Sequence, residues 1–179
     1  MNKYISVYSL SILGLFSTAA LALEYPVGKP HLQNGMEIGA VYLQPVTMKP
    51  SMGLSAKEAD IHLEADIHAL ENNANGFPPG SWIPDLAIHY ELTKKGGKQV
   101  ISGDFGAMVA SDGPHYGANV KLLGVGAYDL KYTISPPGTT NGKPFMRHVD
   151  KETGVSEWFK PFEVDYDFIY AGVGKKGGY

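Results

Sequence analysis

The 179-residue chain has no cysteine, and that absence excludes whole classes of chemistry. Without a thiol there is no thiolate nucleophile, no iron–sulfur cluster and no covalent haem attachment. A blue-copper centre is excluded as well, because it is built on a cysteine sulfur. No disulfide can staple the fold, so a hydrophobic core or a bound ligand must hold it together. A lipid anchor through an N-terminal cysteine is likewise impossible. Charge is sparse, with 18% charged residues and a formal net charge of -3, and the Lys and Arg residues are scattered. Nothing there attracts nucleic acid or an anionic membrane surface. Long apolar runs are missing beyond the first residues, and no stretch carries helical periodicity with capping residues.

The first residues form a separate unit. "MNKYISVYSLSILGLFSTAALA" carries Lys3, an apolar stretch from about Val7 to Leu21, and small residues at Ala20 and Ala22. This pattern predicts a secretory signal peptide over residues 1–22. The apolar stretch falls short of the roughly 20 residues that a spanning helix needs. Residues 23–179 are then expected to form one domain, exported as a soluble protein, with the periplasm as its compartment.

Turn formers punctuate that domain. The chain has 22 Gly and 12 Pro, and short segments of strand character lie between them. These are residues 36–47 (with Pro45 marking an edge or bulge), 58–70, 84–93, 99–110, 118–123, 126–135 and 158–171. Seven strands separated by turn signals predict an all-β, antiparallel sandwich of immunoglobulin-like type. The loop "ENNANGFPPGSWIP" is rich in turn formers yet carries Phe77, Trp82 and Ile83. It is expected to pack those side chains against the sandwich.

"ADIHLEADIH", from Ala59 to His68, alternates without a break. As a helix it would scatter Ile61, Leu63, Ala65, Ile67 and Ala69 around a cylinder. As a strand it buries all five on one face. Asp60, His62, Glu64, Asp66 and His68 then share the other face. Further candidate ligands are Met108 at a strand end, His115 in the loop "ASDGPHYGAN", and His148 in the loop of residues 136–155. Imidazole suits copper, zinc, iron and nickel, and thioether suits Cu(I). By spacing alone a metal site competes with an ordinary solvated strand face. The standard hydrolase, nucleotide and EF-hand motifs are absent. "HLE" resembles half of a zinc-deaminase motif but lacks its cysteine pair.

"NGMEIGAVYLQPV", "ADIHLEADIHAL", "NGFPPGSWIPDLAIHYEL", "MVASDGPHYGANV", "GVGAYDLKYTIS" and "RHVDKETGVSEWFKPFEVDYDFIY" occur together and in this order. In this the chain resembles the periplasmic iron-transport proteins of the Tpd family, from about Tyr25 to Tyr170. The resemblance implies a cupredoxin-related sandwich, a homodimer, bound copper, iron as cargo, and an inner-membrane iron permease as partner. Residue by residue it implies His62, Met108, His115 and His148 as copper ligands, with Glu64 beside the metal or at a second position. Asp112 and Asp66 are implied as weaker, supporting acidic groups. Lys151 departs from the acidic residue common at that place and would weaken a second cation position. His31, His68 and His89 receive no role. Two other readings stay open: a copper-dependent ferrous-iron oxidase on the same ligands, and a metal-free immunoglobulin-like interaction module. Histidine ligation predicts that metal binding weakens below about pH 6.

Overall fold

The computed structural model describes residues 24–139 and 142–172; the expected signal peptide lies outside these. In chain order the strands are β1 (Tyr25–Pro26), β2 (His31–Gln33), β3 (Met36–Leu43), β4 (Ile61–Ala69) and β5 (Ala87–Lys94). They continue with β6 (Val100–Asp104), β7 (Gly106–Ala110), β8 (Gly113–Val120), β9 (Gly126–Ser135) and β10 (Phe162–Tyr170). All pairings are antiparallel. One sheet runs β1-β3-β4-β8-β7, with β2 also on the outer edge of β3, and the other runs β10-β9-β5-β6. The sandwich read from the sequence is therefore the fold.

Its core comes from strict alternation. Ile61, Leu63, Ala65, Ile67 and Ala69 of β4 are buried against Ile88, Leu92, Leu130, Tyr132, Val164 and Phe168 of the facing sheet. Two tyrosines bridge the sheets, Tyr132 donating to the Glu64 carbonyl at 3.0 Å and Tyr166 to the Ile38 carbonyl at 2.8 Å. The loop of residues 71–84 docks as expected. Ile83 is buried, Phe77 and Trp82 pack on the core, and backbone bonds from Ala69 to Ser81 and from Ile83 to Ile67 run it beside β4.

Four expectations need correcting. Residues 99–110 are two strands rather than one. The chain crosses between sheets at Phe105, whose buried ring and N–H bond to the Ile88 carbonyl hold the corner. The loop "ASDGPHYGAN" is mostly strand: only Ser111 and Asp112 form the turn, and β8 begins at Gly113. Pro45 lies beyond the end of β3 and marks neither edge nor bulge within it. The short strands β1 and β2 were not anticipated.

Candidate metal centre

The outward face of the larger sheet carries the site. On β4, His62, Glu64, Asp66 and His68 point away from the core. On β8, His115, Gly117 and Asn119 do the same, because their odd-numbered positions pair with these residues across the ladder. His62 lies opposite Asn119, Glu64 opposite Gly117, and on the next strand Gly117 lies opposite Gly106 and His115 opposite Met108. Two glycines thus sit side by side between the histidines and leave a trough in the sheet surface. His62 occupies it: a Cβ on Gly117 would stand 2.7 Å from His62 Nε2.

Three ligand groups converge there. Single donor atoms of His62, Glu64 and His115 all lie within 4.8 Å of one another. Glu64 Oε1 is 3.5 Å from His62 Nε2 and 3.2 Å from His115 Nε2. His62, Glu64 and His115 are 0%, 5% and 6% exposed, an unusual degree of burial for polar side chains. They form the floor of a cavity of about 620 Å³ whose walls include Met48, Met108 and Asp112.

Asn119 fixes the chemistry of His62. Its Nδ2 donates to the carbonyls of Val46 and Leu54, each at 2.9 Å, and its Oδ1 accepts the Val46 N–H at 3.2 Å. Those partners set the amide's orientation, so Oδ1 faces His62 Nδ1 at 3.0 Å and the imidazole proton must sit on Nδ1. Nε2 is then a bare acceptor, buried and without a hydrogen-bond partner. Buried polar atoms are normally satisfied, and one left open beside two further ligand-type groups could accept a cation.

Electrostatics act in the same direction. Burial, reinforced by the positive form of His115 and opposed by the Asn119 bond, pushes His62 down to about 4. Burial, and then the charges of Asp66, Glu24 and Asp112, push Glu64 up to about 8. Asp66 and Glu24 are also raised, chiefly by burial. Glu64 and His115 also line a second hollow of about 220 Å³, together with Glu24, Asp66, His68 and Asp112. Crowded, buried carboxylates resist ionisation, and a cation placed among them would relieve that crowding.

The sequence-predicted residues separate into groups. His62, Glu64 and His115 come together, Met108 and Asp112 line the same cavity, and Asp66 lines the adjoining hollow. His148 does not join them within one chain. Its side chain is 74% exposed on the loop after β9. There its Nδ1 donates to Thr153 Oγ1 at 2.7 Å, because the Thr153 hydroxyl proton goes to Asp150. Sequence reasoning missed Asn119, Gly117 and Glu24. Asn119 reads as an ordinary strand residue, and Glu24 sits beside the expected cleavage junction. A depression of about 540 Å³ on the other sheet, over Glu91, Asp129, Asp165 and Asp167, has no histidine, and Lys95 and Lys131 pair with its neighbouring acids.

The family model described as "Fe2+ transport protein" matches residues 21–172. A UPF0423 protein of Brucella abortus is 54% identical over 179 residues, covering 92% of this chain and 98% of that protein. Copper-reconstituted P19 from Campylobacter jejuni superposes with a TM-score of 0.80 at 53% identity, over 85% of this chain and 99% of that one. A copper-bound Glu-to-Gln variant of FetP from uropathogenic Escherichia coli gives 0.80 at 54% identity, over 84% and 99%.

Proposed function

The chain belongs to the Fe2+ transport protein family, and from that premise we propose that it is a periplasmic metal-binding protein of a high-affinity iron-uptake system. In this reading residues 1–22 direct export and residues 23–179 are the working domain. Copper is the resident metal, and iron is cargo passed toward an inner-membrane permease. The observation that carries the reading is the buried, unpartnered Nε2 of His62, aimed at His115 and Glu64.

The donor set fits copper. Two imidazoles, a carboxylate and the Met108 thioether mix borderline, hard and soft groups, a combination that holds both Cu(II) and Cu(I). Bound copper supplies a one-electron couple at the cavity floor. His62 and His115 are fixed by two adjacent strands, so the sheet sets their spacing before any metal arrives. Glu64 supplies the negative charge and joins the cavity to the acidic hollow, where Glu24, Asp66 and Asp112 offer the oxygen ligands that iron accepts.

A ligand role for His148 requires a second copy of the chain, since within one chain its side chain faces solvent. It is flanked by Met146 and Val149, which are 85% and 75% exposed and call for a covering surface. A homodimer that lays this loop over its neighbour's cavity would complete the ligand set.

The test is calorimetric titration of the metal-stripped protein with Cu(II), alongside His115→Ala and His148→Ala variants and sedimentation of each. One tight site per chain, lost in His115→Ala and weakened in His148→Ala, is expected of a dimer. Binding indifferent to both substitutions overturns the metal centre. Oxygen consumption with ferrous iron separates a binder, which shows no turnover, from an oxidase on the same residues.

A further inference from the structure

The loop between β3 and β4 carries two methionines that the cluster does not use. Met48 lines the ligand cavity and also an adjoining hollow of about 320 Å³, which Met52 lines as well. Met52 is 40% exposed, unlike a methionine used as core filler. Its thioether rests on Gly106, where a Cβ would stand 2.7 Å from Sδ. Gly106 and Met108 are two residues apart on β7 and so face the same side. Met52 lies against the strand that carries Met108, and Met48 lines both hollows, so the three methionines join the adjoining hollow to the cavity that holds His62.

The adjoining hollow suits a soft ion. It has no histidine, and its one carboxylate, Glu58, is engaged by the Ser55 hydroxyl at 2.6 Å and the Ser55 N–H at 3.1 Å. A hard divalent cation finds no free anionic oxygen from these side chains, whereas thioethers select Cu(I). The same loop hangs on Asn119 through Val46 and Leu54, so the methionine segment and the orientation of His62 share one anchor. We propose that Met48 and Met52 form an outer thioether site that passes Cu(I) to and from the buried cluster, with Met108 at its inner end. The step is ligand exchange alone, and no electron is transferred in it.

This inference rests on the copper reading above, and its test separates the two. Protein carrying carbon-13 in its methionine methyls is titrated with Ag(I), a diamagnetic stand-in for Cu(I). The Met48, Met52 and Met108 methyl signals are expected to shift. A shift confined to Met108, or none, overturns the path. Transfer of Cu(I) from the loaded protein to a chelator is then timed. In the Met48→Leu/Met52→Leu double variant it is expected to slow about tenfold, or ~1.4 kcal/mol of barrier, with Cu(II) affinity preserved. Normal Cu(II) affinity with unchanged transfer in the double variant overturns the path and leaves the metal centre standing. Failure of the unaltered protein to bind copper overturns both.

Discussion

The Nδ1–H of His62 is held by the Oδ1 of Asn119 at 3.0 Å, and the same amide holds the backbone of the β3–β4 loop at Val46 and Leu54. One side chain thus sets the imidazole tautomer and the position of the cavity's loop wall. Asn119→Leu removes both restraints. Groups that orient a metal-ligating histidine are worth about 10–100-fold in metal affinity. A Cu(II) affinity loss of that size, measured by competition with a chelator, is the expected outcome. Asn119→Asp keeps an acceptor for Nδ1 but loses the two donors to the loop, so it should recover part of the affinity and little of the thermal stability.

Gly117 is required by the ring beside it. An alanine there puts Cβ 2.7 Å from His62 Nε2 and 3.1 Å from the Leu63 carbonyl. The imidazole can turn away, but the backbone has little room to move. Overpacking of this kind costs about 1–3 kcal/mol. Gly117→Ala is expected to fold with a lowered Tm and to lose copper binding almost entirely, read by circular dichroism and calorimetry on one preparation. A variant that keeps full copper affinity would show that the trough is not what positions His62.

Alternation made β4 legible from the sequence, because a period of two with apolar residues on one side has one burial solution. His62, Glu64 and Asp66 were found that way. What alternation along one strand does not record is the neighbour across the ladder. Gly113, Pro114 and Gly117 read as turn formers, so the sequence shows only the last residues of β8 as strand. Gly117 is there because His62 fills the space a side chain would need, and Asn119 because its amide joins a histidine to a loop. Both residues are turn-like by composition and structural by contact. The crossing at Phe105 was hidden for a related reason: two half-strands in different sheets read as one run when the bend between them is a buried aromatic.

The metal-free protein should show a definite stability profile with pH. His62 is held at about 4, below its ordinary 6.5, so its contribution is present above 6.5 and is lost as pH falls toward 4. Glu64 is held at about 8, above its ordinary 4.5, so its contribution is full below 4.5 and is lost as pH rises through 8. Between 4.5 and 6.5 the two slopes oppose each other and cancel. From pH 6.5 to 8 Glu64 is no longer opposed by His62, and its contribution falls by about 2 kcal/mol over that interval. Urea denaturation of the stripped protein across this range reads the slope directly. Glu64→Gln has no ionisation to suppress, so it should flatten the curve and be the more stable form at pH 8. An unchanged slope in that variant would place the titrating group elsewhere.

Copper binding should carry the opposite signature. The sequence suggests a threshold near pH 6, set by imidazoles that must be neutral. Burial alters that expectation for His62, which is already neutral well below pH 6 and presents a bare Nε2. Glu64 is the group that must change state, since near neutral pH its buried carboxyl keeps its proton until a cation displaces it. Binding at pH 7 should therefore release about one more proton in the unaltered protein than in Glu64→Gln. The difference should vanish above about pH 9, where the carboxylate is already ionised. Titrations in buffers of contrasting ionisation enthalpy measure that count. Equal proton release at pH 7 with and without the Glu64 carboxyl would mean that Glu64 does not change state on binding, and the proton displaced by the metal would have to come from another group.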